Sequence, residues 1–167
     1  MKLLAIPVVG ALFGLMMFPA LYANGDATPI GCTGIAQFDA ILATIRTIES
    51  GGDYAITNHG STASGAYQFL DSTWANYGGY PRAWQAPAAV QDAKAVEQVR
   101  GILDAHNGDV TAVPVVWYIG YVPAEGSADW DTIPYPSAGN VLTPRQYQTR
   151  WLAEYEHHVG EIGRAHV

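Results

Sequence analysis

With 167 residues and 49% apolar content, the chain is long enough for one domain with a real core. Its formal charge of −7 makes it a poor partner for nucleic acid or an anionic membrane. The single cysteine, Cys32, rules out an intrachain disulfide, so the fold must rest on burial.

The N-terminus has Lys2, an apolar run from Leu3 to Phe18, and then Pro19 to Ala23. A charged start, an apolar stretch and a small residue make up a signal peptide. Cleavage is expected after Ala23, with Ala27 as the alternative. The competing reading is an uncleaved anchor, but the run is short for a spanning helix. The expected product is secreted and cell-wall associated, without a stable membrane span. Removing residues 1–23 moves the formal charge to −8. Residues 24–32 read as a loose leader. Pro29-Ile30-Gly31-Cys32 lies too far beyond the apolar run for a lipidation site, so Cys32 is read as an unlipidated thiol.

The first helix is expected from about Gly34 to Ser50, with Phe38, Ile41, Leu42, Ile45 and Ile48 recurring at steps of three and four. Counting back from Glu49 by four, seven and eleven reaches Ile45, Leu42 and Phe38. Its carboxyl therefore lies on the face that should be buried. It also sits at the helix C-terminus, where the macrodipole disfavours an anion. Both effects favour the protonated form, a poor choice for stability but a useful proton donor.

A polar loop follows, Asp53 to Ser64, with a turn at Asn58-His59-Gly60. A short helix begins at Asp71 or Ser72 and stops at Gly78-Gly79. Pro87 opens a longer helix, Ala88 to His106, whose apolar stripe is Val90, Ala93, Val96, Val99 and Leu103. Asp109 caps the next, Val110 to Ile119, expected to bend or break at Pro114. Residues 121–142 are irregular, and Thr143-Pro144 starts a final helix with Tyr147, Trp151, Tyr155 and Val159 on one side. The expected fold is all-α, a single domain over residues 33–160 with long loops. Residues 161–167, Glu-Ile-Gly-Arg-Ala-His-Val, fit no helix continuation and match one reading frame of a common sequencing adapter. They are read as a non-native tail.

The blocks Glu49-Ser50-Gly51-Gly52-Asp53, Ser64-Gly65-Ala66-Tyr67-Gln68-Phe69, Ser72-Thr73-Trp74 and Tyr77-Gly78-Gly79 resemble the lysozyme-like lytic transglycosylases. The similarity is closest to the actinobacterial resuscitation-promoting factor branch and covers roughly residues 38–120. It implies a lysozyme-like domain that cleaves peptidoglycan glycan between N-acetylmuramic acid and N-acetylglucosamine, with Glu49 as catalytic acid/base. It also implies that Gln68 and Tyr67 line the cleft near Glu49. Broader members have an Ala-Tyr-Asn-Ala-Gly block whose tyrosine contacts the glutamate. Here the stretch is Val116-Trp117-Tyr118-Ile119-Gly120. Aligning glycines places Trp117 at the tyrosine, and aligning tyrosines places Tyr118 there. Tyr118 is the favoured partner of Glu49, and the asparagine is missing in either register.

Each further residue carries a plainer reading. Gln68 can bond an acetamido group or nearby backbone, and Tyr67 can be cleft wall or core. Trp74 and Trp84 offer flat faces to sugar rings. Trp74, at a helix start, also suits the core, whereas Trp84 lies in a loop. Asp53 is the nearest second carboxylate in sequence, and two glycines intervene, so a solvated loop acid is the simpler reading. His59, His106 and the adjacent His157-His158 form no zinc spacing, and no metal or cofactor is expected. The expected partner is the glycan strand, and the protein is expected to be monomeric. The rival activities are a muramidase that uses water and a catalytically silent wall-binding or signalling protein.

Overall fold

The computed structural model describes residues 32–136 and 140–165. The proposed signal peptide and residues 24–31 of the leader lie outside them. Five α-helices follow in order: α1, Cys32–Ser50; α2, Asp71–Trp74; α3, Ala88–Ala105; α4, Ala112–Ile119; and α5, Pro144–Ala165. Short 3₁₀ turns at Tyr77–Gly79, Ala83–Gln85 and Ala128–Asp131 stud the connections. No strand forms among the described residues, only isolated bridges pairing Thr57 with Ser64 and Ser64 with Phe69. The class is the all-α one expected of a lysozyme-like domain.

α1 packs along α5, and α4 packs against both α3 and α5. The core gathers Ile41 and Ile45 from α1, Trp74 from α2, Val99 from α3, Val113 and Val115 from α4, and Trp151 from α5. Gly51 and Gly52, both at positive φ, stop α1 by turning their N–H groups back onto the carbonyls of Thr47 and Arg46. This abrupt stop leaves Glu49 in the last turn.

Three expectations are corrected. Pro114 does not interrupt its helix. α4 begins at Ala112, so Pro114 is its third residue, where no intrahelical N–H bond is forfeited. The buried face of α3 is Gln91, Ala95, Val99 and Ile102, while Ala93 is exposed. The apolar pattern misplaced that face because a buried glutamine occupies it. α5 also runs through Glu161 to Ala165 instead of ending before the tail, although its apolar side fades at the exposed Val159.

Gln91 is fully buried and fully used. Its Oε1 accepts the Ala66 N–H (2.9 Å), and its Nε2 donates to the carbonyls of Tyr54 (3.0 Å) and Ala86 (2.9 Å). It thus pins the 54–66 loop to α3. Gly65 makes room for it: at φ +74, an added Cβ would lie 2.2 Å from Gln91 Oε1. Gly65→Ala combines left-handed strain with loss of buried amide bonds, and we expect it to cost about 2–4 kcal/mol. Denaturant melting checks this, and a midpoint equal to wild type would dispose of the pinning role.

Candidate active site

Glu49 is half-buried at the end of α1. Tyr147, in the first turn of α5, donates its hydroxyl to Glu49 Oε1 at 2.5 Å. Crowding by neighbours removes water from the carboxyl and raises its pKa to about 7. The Tyr147 bond and the positive charge of Arg150 only partly offset this. Among the described residues, no other carboxylate is one of the groups that shift it. Tyr147 is itself held well above the ordinary phenol range, chiefly by burial and next by the nearby Glu49, so it remains a donor throughout.

Tyr118 stands one ring further back. Its ring stacks on Tyr147, with centroids 4.2 Å apart and planes at 8°. Its hydroxyl donates to the Leu142 carbonyl at 2.8 Å. Burial, and then the proximity of Glu49, push its pKa up to about 12. The tyrosine bonded to Glu49 is therefore Tyr147, not the Tyr118 expected from the aligned block. Tyr118 braces the ring that makes the contact. The α5 helix supplies what the altered stretch after Val116 does not.

The other side of α1 is fixed by Ser50. Its hydroxyl donates to the Ala66 carbonyl at 2.8 Å, tying the helix end to the turn that carries Tyr67 and Gln68. Tyr67 is buried, donates to Asp92 Oδ1 (2.6 Å) and accepts from Arg46 (2.6 Å). Tyr54 donates to the same Asp92 oxygen at 2.7 Å. This network is a floor under the loop, and Tyr67 belongs to the core. Trp117 joins it there, packed on Tyr67 and Phe69. Trp74 is also core, its indole N–H donating to the Tyr80 carbonyl at 2.7 Å.

Gln68 is buried at a left-handed φ of +52, and its amide donates to the Gly65 carbonyl. Trp84 is 38% exposed on its 3₁₀ turn, which leaves a ring face for contact. Asp53 is exposed and accepts the Ala55 N–H at 2.9 Å, a turn-forming bond. Tyr147 and Arg150 escaped the sequence reading as site residues. One signal was present: a tyrosine on a buried helix stripe needs an acceptor, and a glutamate on a buried stripe needs a donor.

A transglycosylase-like family matches residues 34–102, which span α1, the pinned loop and most of α3. A probable transglycosylase SceD 2 of Staphylococcus saprophyticus subsp. saprophyticus is 52% identical over 62 residues, 34% of this chain and 24% of its own length. The probable transglycosylases SceD of Staphylococcus carnosus and of Staphylococcus aureus strain Newman are 51% and 47% identical over 64 residues. In both, the match spans 35% of this chain and 27% of the relative. The matched stretch is thus about a quarter of the curated relatives it resembles. No solved structure matches the chain significantly. The matched stretch holds Glu49, whereas Tyr118, Tyr147 and Arg150 lie past its end.

Proposed function

We propose that this protein is a peptidoglycan lytic transglycosylase that cleaves the bond between N-acetylmuramic acid and N-acetylglucosamine with Glu49 as its one acid/base. The observation that carries the reading is the Glu49 carboxyl, raised to about 7 by desolvation and held by Tyr147, with no second carboxylate among the described residues that shift it. A group with that pKa is divided between its two forms near neutrality, as a residue that first gives and then takes a proton requires.

Glu49 protonates the glycosidic oxygen as the bond to the leaving sugar breaks. The N-acetyl group of the substrate supports the charge at the anomeric carbon. The Glu49 carboxylate, still bonded by Tyr147, then takes the proton from the muramic C6 hydroxyl. That oxygen attacks the anomeric carbon and closes a 1,6-anhydro ring. Water is not consumed, so no second acid is needed to steer it, in keeping with Asp53 lying exposed on its own turn. The exposed ring of Trp84 is proposed to bind the sugars, with Gln68, its amide nitrogen held by the Gly65 carbonyl, left to contribute through its side-chain oxygen. With its net negative charge, the chain must hold a polyanionic substrate by shape, stacking and hydrogen bonds. We further propose export by the N-terminal signal peptide, action at the cell wall as a monomer, and a non-native origin for residues 161–167.

Mass spectrometry of digested cell wall tests the reaction. The expected products carry anhydro-muramic ends. Reducing muramic ends would establish the muramidase, and sacculi that bind the protein yet release no soluble muropeptide would establish the silent binder.

A further inference from the structure

Beyond the stacked tyrosines, the segment after α4 builds a recess of about 190 Å³. Ile119 and Pro144 form its inner wall. Ile119 directly follows Tyr118, and Pro144 lies one helical turn before Tyr147, so two of the lining residues sit on the same helices as the stacked tyrosines. Tyr121 and Tyr135, 49% and 42% exposed, give it two open rings, and Asp129 and Thr132 give it polar groups.

The recess is fastened in place. Arg145, in the first turn of α5, binds both oxygens of Asp131 (2.8 and 3.2 Å) and lies over the Trp130 ring. That clamps the 3₁₀ turn Ala128–Asp131 to the helix. Tyr121 donates its hydroxyl to Asp129 Oδ2 at 2.9 Å, which orients the carboxylate. Asp131 is neutralised by Arg145, but Asp129 has no cationic partner among the described residues. The recess therefore pairs two aromatic faces with one uncompensated negative charge, a match for an ammonium on an aliphatic chain.

We propose that this recess binds the amine-bearing diamino acid of the peptide stem attached to the glycan, with its ammonium on Asp129 and its aliphatic chain against Tyr121 and Tyr135. The proposal rests on the reading that peptidoglycan is the substrate, and it assigns the side of the cleft beyond Tyr118 and Tyr147 to the stem.

Binding is measured with Glu49→Gln protein, so that ligand is not consumed. Three probes are used: a disaccharide-peptide with a free stem amine, its N-acetylated form, and the stem-free disaccharide. We expect the free amine to bind about fivefold more tightly than the acetylated form. The gap should close in roughly 0.5 M salt. Amide and ring NMR shifts should move at Tyr121 and Tyr135 only when a stem is present. Adding Asp129→Asn should abolish the discrimination, while Asp129→Asn in the otherwise native protein should leave cleavage of stem-free glycan strands unchanged. Equal affinity for amine and acetamide, discrimination that survives Asp129→Asn, or equal shifts with the stem-free sugar would each overturn the proposal. Failure of the cleavage reading shows separately, as native protein that leaves stem-free strands intact.

Discussion

Glu49→Gln is expected to abolish glycan cleavage while making the fold more stable at neutral and alkaline pH. A positioned general acid contributes about 10²–10⁴ in rate, and no second carboxylate is among the described residues that shift this one. Release of soluble muropeptide should therefore fall by at least about a hundredfold. The stability change has a definite sign. The Glu49 pKa is raised from 4.5 to about 7 by folding, so the folded protein binds this proton more tightly than the unfolded chain. The stabilisation is complete below about pH 4.5 and is lost as pH rises through 7. Glutamine does not ionise and can still accept the Tyr147 hydroxyl bond. The variant should match the native protein near pH 4 and exceed it by about 2–3 kcal/mol above pH 8. Thermal melting across that range reads the divergence. Parallel melting curves at every pH would show that Glu49 is an ordinary solvated acid, and activity near the native level would end its assignment as acid.

Much of the scaffold was legible because its signals are local. The three-and-four spacing from Phe38 to Ile48 and the paired glycines after Ser50 mark α1 and its stop, and hence the unfavourable station of Glu49. Pro144 likewise marks the start of α5. What failed was information that only packing supplies. Gln91 looks like a surface residue in the α3 pattern, because nothing nearby in sequence announces that Tyr54, Ala66 and Ala86 will present it with backbone partners. Tyr67 and Trp117 carry the same side chains whether they line a cleft or fill a core; Tyr67 is held by Arg46 and Asp92, and Trp117 packs on Tyr67 and Phe69. The partner of Glu49 lies 98 residues away, on a helix that the resemblance did not reach. The aligned tyrosine was the right residue type on the wrong element, and Tyr118 still contributes by stacking on the one that bonds.

Tyr147→Phe should separate proton poise from simple packing. The ring, its stack on Tyr118 and its place against α1 are retained, and only the hydroxyl that bonds Glu49 is removed. That bond favours the carboxylate and opposes desolvation, so its loss should raise the Glu49 pKa further above 7. The alkaline limb of the rate profile, where the acid form runs out, should move up by roughly one pH unit. The maximal rate should fall about tenfold or more, because the carboxylate that must take the C6 proton is left desolvated and without its donor. A variant that only loosened the core would lower the rate without moving the limb. Tyr118→Phe is the control, since it keeps the stack and loses only the bond to the Leu142 carbonyl. Its limb should stay close to the native position. If Tyr147→Phe leaves the profile in place, or if Tyr118→Phe shifts it as far, then α5 supports the cleft only as a wall, and the proton of Glu49 is governed by burial alone.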